Sequence, residues 1–145
     1  MVREEHAEMP VLIVEDDPDA RELFTTILQD DGLPAVAYAN GTDAIAWLEQ
    51  QQPALILLDL TLPGVPGEEV AHAARHRYGQ ALPILVVTGV DHARERTEQA
   101  ETFVYLTKPF EIAELLRVVH ALLSPEPPFG RFVEAPLREE GGVQT

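Results

Sequence analysis

Five short apolar runs, VLIV (11–14), PAVAYA (34–39), ALILL (54–58), PILVV (83–87) and FVYL (103–106), recur along the chain without alternating polar residues. A strand with one wet face alternates, whereas a strand that is apolar at every position has to be covered on both faces. Helix-period segments lie between these runs. Ala20, Leu23, Phe24, Ile27 and Leu28 form one apolar stripe, with Asp17 as cap, Pro18 as first helical residue and Gly32 as stop. Similar stripes occupy 41–51 (Ala44, Trp47, Leu48), 67–78 (Val70, Ala71, Ala74) and 110–123 (Ile112, Leu115, Leu116, Val119, Leu123). Segment 91–100, DHARERTEQA, offers only alanines to a core and predicts a short, loosely held helix.

Parallel strands require crossover connections, and a helix covers the sheet as it makes each one. The alternation therefore predicts an α/β, flavodoxin-like doubly wound (βα)5 fold with a five-stranded parallel sheet in the order 2-1-3-4-5. At 145 residues the chain is long enough for one domain, expected over 10–123, after an N-terminal extension at 1–9. Residues 124–145 open with a proline cluster and form a tail, in which Phe129, Phe132, Val133 and Leu137 suit a docking arm on this domain or on a second subunit, with a disordered end as the equal alternative. A formal net charge of −15 opposes electrostatic reading of nucleic acid or of an anionic membrane. No cysteine, no apolar leader and no run long enough to span a bilayer predict a cytoplasmic protein without disulfides or thiolate metal sites.

Polar residues gather at the carboxyl ends of the predicted strands: Glu15-Asp16-Asp17 after the first, Asp59 after the third, Thr88-Gly89 after the fourth and Thr107-Lys108 after the fifth. Ligands of an open α/β sheet sit outside those ends, at the switch point in strand order, so Asp16 and Asp59 should face each other. Asp17, before Pro18, is most simply a cap. A carboxylate following ALILL is costly to bury without a partner, and like charges at about 4 Å interact by about 4 kcal/mol at an effective dielectric near 20. Oxygen donors without His or Cys favour a hard divalent ion, Mg²⁺ or Mn²⁺. Lys108 is the chain's sole lysine. Its compact ammonium can reach an anion end-on in a crowded pocket, where a guanidinium would be too broad. With a phosphoryl group on Asp59, Lys108, the metal and the Thr88 hydroxyl would each meet one oxygen.

VLIVEDDPDAR, LILLDLTLPGVPG, ILVVTG and YLTKPF, in that order, resemble the four signature segments of the receiver domains of two-component response regulators, over roughly residues 10–123. The resemblance implies that Asp59 is the phosphoacceptor. It also implies that Asp16 binds Mg²⁺ directly and Glu15 through water, with the backbone carbonyl of Thr61 as a further ligand. Thr88 matches the switch hydroxyl, Gly89 the small residue that leaves the phosphoryl room, Tyr105 the aromatic that follows Thr88, and Lys108 the family lysine before a cis Pro109. The implied chemistry is attack by Asp59 on the phosphohistidine of a sensor histidine kinase, followed by hydrolysis tuned near Thr61 and Val90. No other substrate is expected to turn over. Output would pass through the fourth helix, fifth strand and fifth helix to a histidine phosphotransfer protein or a target enzyme. A homodimer through the fifth helix and the C-terminal arm is a further arrangement.

Some residues depart from the family. The stretch from Thr88 to Lys108 is short, AETFVYL replaces the usual Gly-Ala lead into the fifth strand, and Pro66 stands where a polar residue is common before Gly67. No effector module follows, which suggests a stand-alone regulator. A haloacid-dehalogenase-like phosphatase would need an Asp at position 61, a flavin module would not place EDD after the first strand, and a P-loop needs glycines ahead of its lysine. The remaining alternative is a receiver-like interaction module that is never phosphorylated. His72 and His76 share a helix face at i, i+4 without a third ligand, and these residues and His92 are assigned no function.

Overall fold

The computed structural model describes residues 9–89 and 104–124. The predicted helix at 91–100, Val90, His92, Phe103, the N-terminal extension before residue 9 and the tail beyond Ser124 lie outside the described residues.

Strands β1 (Val11–Val14), β2 (Ala35–Tyr38), β3 (Leu55–Leu58), β4 (Ile84–Thr88) and β5 (Val104–Thr107) form one parallel sheet in the order β2-β1-β3-β4-β5. This is the predicted order. Alternate residues of each strand enter two separate cores, as the continuous apolar runs require. Leu12, Val14, Ile56, Leu58, Ile84, Val86 and Tyr105 pack against α2 (Gly41–Leu48) and α3 (Gly67–Tyr78). On the other face Val11, Ile13, Leu55, Leu57, Leu85, Val87, Val104 and Leu106 pack against α1 (Pro18–Asp30) and α4 (Ile112–Leu123). Complete burial of each such aliphatic side chain contributes about 1.5–3 kcal/mol, so both faces hold the sheet in register. Strand β2 lies at the edge and is only half-buried throughout.

Local signals set the helix starts. The Asp17 carboxylate accepts from the Ala20 N–H with Pro18 in the first turn, Asn40 accepts from the Asp43 N–H, and Glu111 and Glu114 form a reciprocal capping box. At Gly67 an added Cβ would lie 2.6 Å from Leu60 Cα and 2.8 Å from the Asp59 carbonyl oxygen, so only glycine lets α3 start against the tip of β3.

Two apolar stripes differ from expectation. Leu23 is 49% and Ile112 50% exposed, although both were placed on buried faces. On α4 the buried set is Leu115, Val118, Val119 and Leu122, with Leu116 and Leu123 half-buried. The helix is apolar over most of its circumference, so periodicity alone did not decide which side faces the sheet. On α2 the helix stops at Leu48, short of the predicted residue 51, and the Tyr78 hydroxyl donates to the carbonyls of Leu48 and Gln51 beyond its end.

Candidate functional site

The ends of β1, β3 and β5 bring charged side chains to the same mouth. Asp59 follows β3 and is buried, Glu15 follows β1 and is 2% exposed, and Asp16 next to it is exposed. One oxygen from each of these three carboxylates lies within 4.8 Å of the other two. Such an arrangement is repulsive by itself and needs a cation.

Lys108, from the end of β5, reaches across the tip of β4. Its Nζ lies 2.9 Å from Glu15 Oε1 and 3.0 Å from Asp59 Oδ2. The remaining oxygens have partners too: Glu15 Oε2 accepts from the Asp17 N–H at 3.2 Å, and Asp59 Oδ1 from the Thr61 N–H at 2.8 Å. Burial pushes the Glu15 carboxyl up, the Lys108 hydrogen bond opposes this, and the nearby Asp59 charge adds to it; the net result lies above the ordinary 4.5. For Lys108 burial works against the charge, but hydrogen bonds and attraction from Glu15 and Asp59 outweigh it and raise the ammonium above its ordinary 10.5.

Thr88 ends β4 fully buried beside Thr107, and its carbonyl accepts from the Lys108 N–H at 3.1 Å. A Cβ added at Gly89 would stand 3.7 Å from Lys108 Cβ, so a larger side chain would run along the lysine stem. Tyr105 is 9% exposed and belongs to the core cluster that contains Val86. The Lys108-Pro109 peptide bond is cis.

Three contacts escaped the sequence reading. The Glu15 to Lys108 bridge was not foreseen, because Glu15 was placed toward the metal alone. The Thr61 N–H grips Asp59, whereas the sequence pointed to the carbonyl and the side chain of Thr61. Arg21 Nη1 donates to the carbonyls of Glu15 at 2.9 Å and Asp16 at 3.3 Å, steadying the acidic turn. A signal for Arg21 existed, since a helix starting at Pro18 carries its fourth residue back over the end of β1.

The donor set fits a hard divalent cation: oxygen atoms only, three of them carboxylate, with exposed Asp16 open to solvent. Among the described residues this is the group of acidic or imidazole side chains close enough to hold a metal, and His72 and His76 do not join one.

The family model "Response regulator receiver domain" matches residues 11–120. The chain belongs to this family. A receiver domain is a component of two-component signal transduction. Among its relatives is an uncharacterized 14.6 kDa protein of Leptolyngbya boryana, 35% identical over 127 residues, covering 84% of this chain and 95% of that protein. The probable transcriptional regulatory protein TcrX of Mycobacterium tuberculosis is 33% identical across 85% of this receiver but only 53% of its own length. The chain thus spans about half the length of that relative. Among solved structures, the receiver domain of a sensor histidine kinase from Pseudomonas aeruginosa, with magnesium coordinated in its active-site cleft, is 30% identical with a TM-score of 0.73, covering 79% of this chain and 97% of that one.

Proposed function

We propose that this receiver takes a phosphoryl group from a sensor histidine kinase onto Asp59 and signals through protein contact. The observation that carries the reading is the convergence of Asp59, Glu15, Asp16 and Lys108 at one mouth, with the Asp59 carboxylate held between the Thr61 N–H and the lysine ammonium. A carboxylate oxygen of Asp59 attacks phosphorus, the bond from phosphorus to the donor imidazole nitrogen breaks, and the electron pair leaves with that nitrogen. The product is an acyl phosphate, which water returns to carboxylate and phosphate.

Asp16, Asp59 and the Thr61 carbonyl are the ligands we assign to Mg²⁺ or Mn²⁺, which when bound supplies positive charge to the transferring oxygens. Glu15 is assigned a place behind the ion, reaching it through water while it keeps its bridge to Lys108. Lys108 neutralises a phosphoryl oxygen, Thr88 donates to another, and Gly89 keeps the space open. Movement of Thr88 followed by Tyr105 then shifts the balance of states on the face that includes β5 and α4. A histidine phosphotransfer protein or a target enzyme reads that face.

Among the described residues no helix is long and apolar enough to cross a membrane. We place the protein's work in the cytoplasm. The test is incubation with Mg²⁺ and a small phosphodonor, beside Asp59→Asn. Labelling of the parent and none of the variant is expected; a parent that stays unlabelled would make it an unphosphorylated interaction module.

A further inference from the structure

Arg21 is the fourth residue of α1 and carries its positive charge near the end of the helix where the peptide dipoles oppose one. The half-buried side chain turns back over the end of β1, where Nη1 donates to the carbonyls of Glu15 at 2.9 Å and Asp16 at 3.3 Å. A terminal guanidinium nitrogen has two N–H groups, one for each acceptor. The two carbonyls belong to the peptide groups before and after the Asp16 Cα. A peptide group is planar, so holding its carbonyl holds the whole plane, and two held planes fix the backbone angles of the residue between them. Those angles set the direction in which the Asp16 side chain leaves the chain.

The neighbours of Asp16 are held in other ways. The Glu15 N–H donates to the Tyr38 carbonyl at 3.1 Å, the Glu15 carboxylate is bridged to Lys108, and Asp17 caps α1 through the Ala20 N–H. The Asp16 carboxylate is exposed, and among the described residues no hydrogen bond orients it. Its place within 4.8 Å of oxygens of Glu15 and Asp59 is therefore set by the backbone that Arg21 brackets.

We infer that Arg21 is a positioning residue for the divalent cation: it holds the Asp16 carboxylate toward Glu15 and Asp59, and so strengthens cation binding although it is itself a cation. The inference rests on Asp16 being a ligand of that ion. Two effects of the side chain oppose each other. As a positive charge beside the acidic mouth, Arg21 repels a divalent ion. As a bracket, it removes in advance the backbone freedom that ordering the ligand would cost. Groups that orient a metal ligand are typically worth about tenfold to a hundredfold in affinity, whereas repulsion from a partly exposed guanidinium is weakened by water and salt. The bracket outweighs the charge. A lysine would keep the charge but present its donors from one rotating point, without the rigid plane.

The sign of one substitution tests this, because loss of charge alone would tighten binding and loss of the bracket loosens it. Mg²⁺ is titrated into the full chain by calorimetry, without phosphodonor. Arg21→Met removes the charge and both hydrogen bonds while keeping a good helix former. Arg21→Gln, also neutral, repeats the measurement should the first variant not fold, and circular dichroism with a urea melt verifies folding. Mg²⁺ affinity should fall about tenfold in the folded variant. In an Asp16→Asn background the same substitution should lower affinity by less than about twofold, or raise it, since the residue through which Arg21 acts is gone; the rise in melting temperature with Mg²⁺ reads these weaker sites. Unchanged or tighter binding in Arg21→Met overturns the inference, and so does a tenfold loss that persists beside Asp16→Asn. A parent that binds no Mg²⁺ overturns the cation site itself and the role of Arg21 with it.

Discussion

Lys108 holds Asp59 from two strands away: its ammonium, at the end of β5, stands 3.0 Å from an oxygen of the carboxylate that follows β3, with the tip of β4 between them. The same nitrogen contacts Glu15, so one cation restrains two acids that would otherwise repel each other.

Lys108→Met should therefore destabilise the metal-free protein by about 2 kcal/mol, less than a fully buried pair because the lysine is partly exposed. Urea melts would measure this. Added Mg²⁺ should raise the melting temperature of the variant more than that of the parent, since the divalent ion replaces the missing charge. Equal Mg²⁺ effects on both would show that Lys108 does not compensate the acidic cluster.

The pH dependence follows from the directions of the shifts. Lys108 binds its proton more tightly folded than unfolded, so its contribution is complete below about pH 10.5 and is lost as pH rises through the higher folded value. The stability gap between parent and Lys108→Met should be level near neutrality and shrink above that point. Glu15 is also raised, which favours folding below 4.5 and loses that advantage as pH climbs through its folded value. Denaturant midpoints of parent and Glu15→Gln across pH 4–7 should show the parent losing relative stability upward; a parent that gains instead would reverse the assigned direction.

Asp16→Asn separates metal binding from folding. The side chain is exposed, so stability should change by no more than about 0.5 kcal/mol. Loss of one charged ligand should weaken Mg²⁺ binding by about tenfold or more, read by titration calorimetry. Unchanged affinity would remove Asp16 from the ligand set.

Gly67→Ala should cost about 2 kcal/mol, because the added methyl meets backbone at Leu60 and Asp59. Phosphodonor labelling should slow as well, since the displaced backbone is that of the acceptor. A variant as stable as the parent would mean that α3 shifts away freely.

Arg75→Met tests a buried guanidinium. Arg75 is 7% exposed and donates to the carbonyls of Gln80 and Leu82, closing the turn between α3 and β4. Its loss leaves the buried Leu82 carbonyl without this donor, at about 2–4 kcal/mol in a urea melt.

Much of the fold was legible because its signals are redundant. Five apolar runs, the Asp17-Pro18 start and the polar strand tips all agree with one topology, and that consistency is what makes a pattern informative. Leu23 and Ile112 were misread because an apolar residue at helical spacing does not reveal whether its neighbours reach it. Arg75 was passed over although it stands four residues after Ala71 on the same face as Val70 and Ala74, where periodicity alone predicts burial. Its charge hid the signal. The Lys108 to Glu15 bridge was illegible for a different reason: residues 93 positions apart meet only once strand order and side-chain direction are both known.

Because the chain carries a single ε-amino group and that group is lodged among carboxylates, amine-directed acylation becomes a reporter of the pocket itself. Acylation at Lys108 Nζ, resolved by peptide mapping from that of the α-amino group, would follow how tightly the ammonium is gripped, with no competing lysine elsewhere to blur the readout.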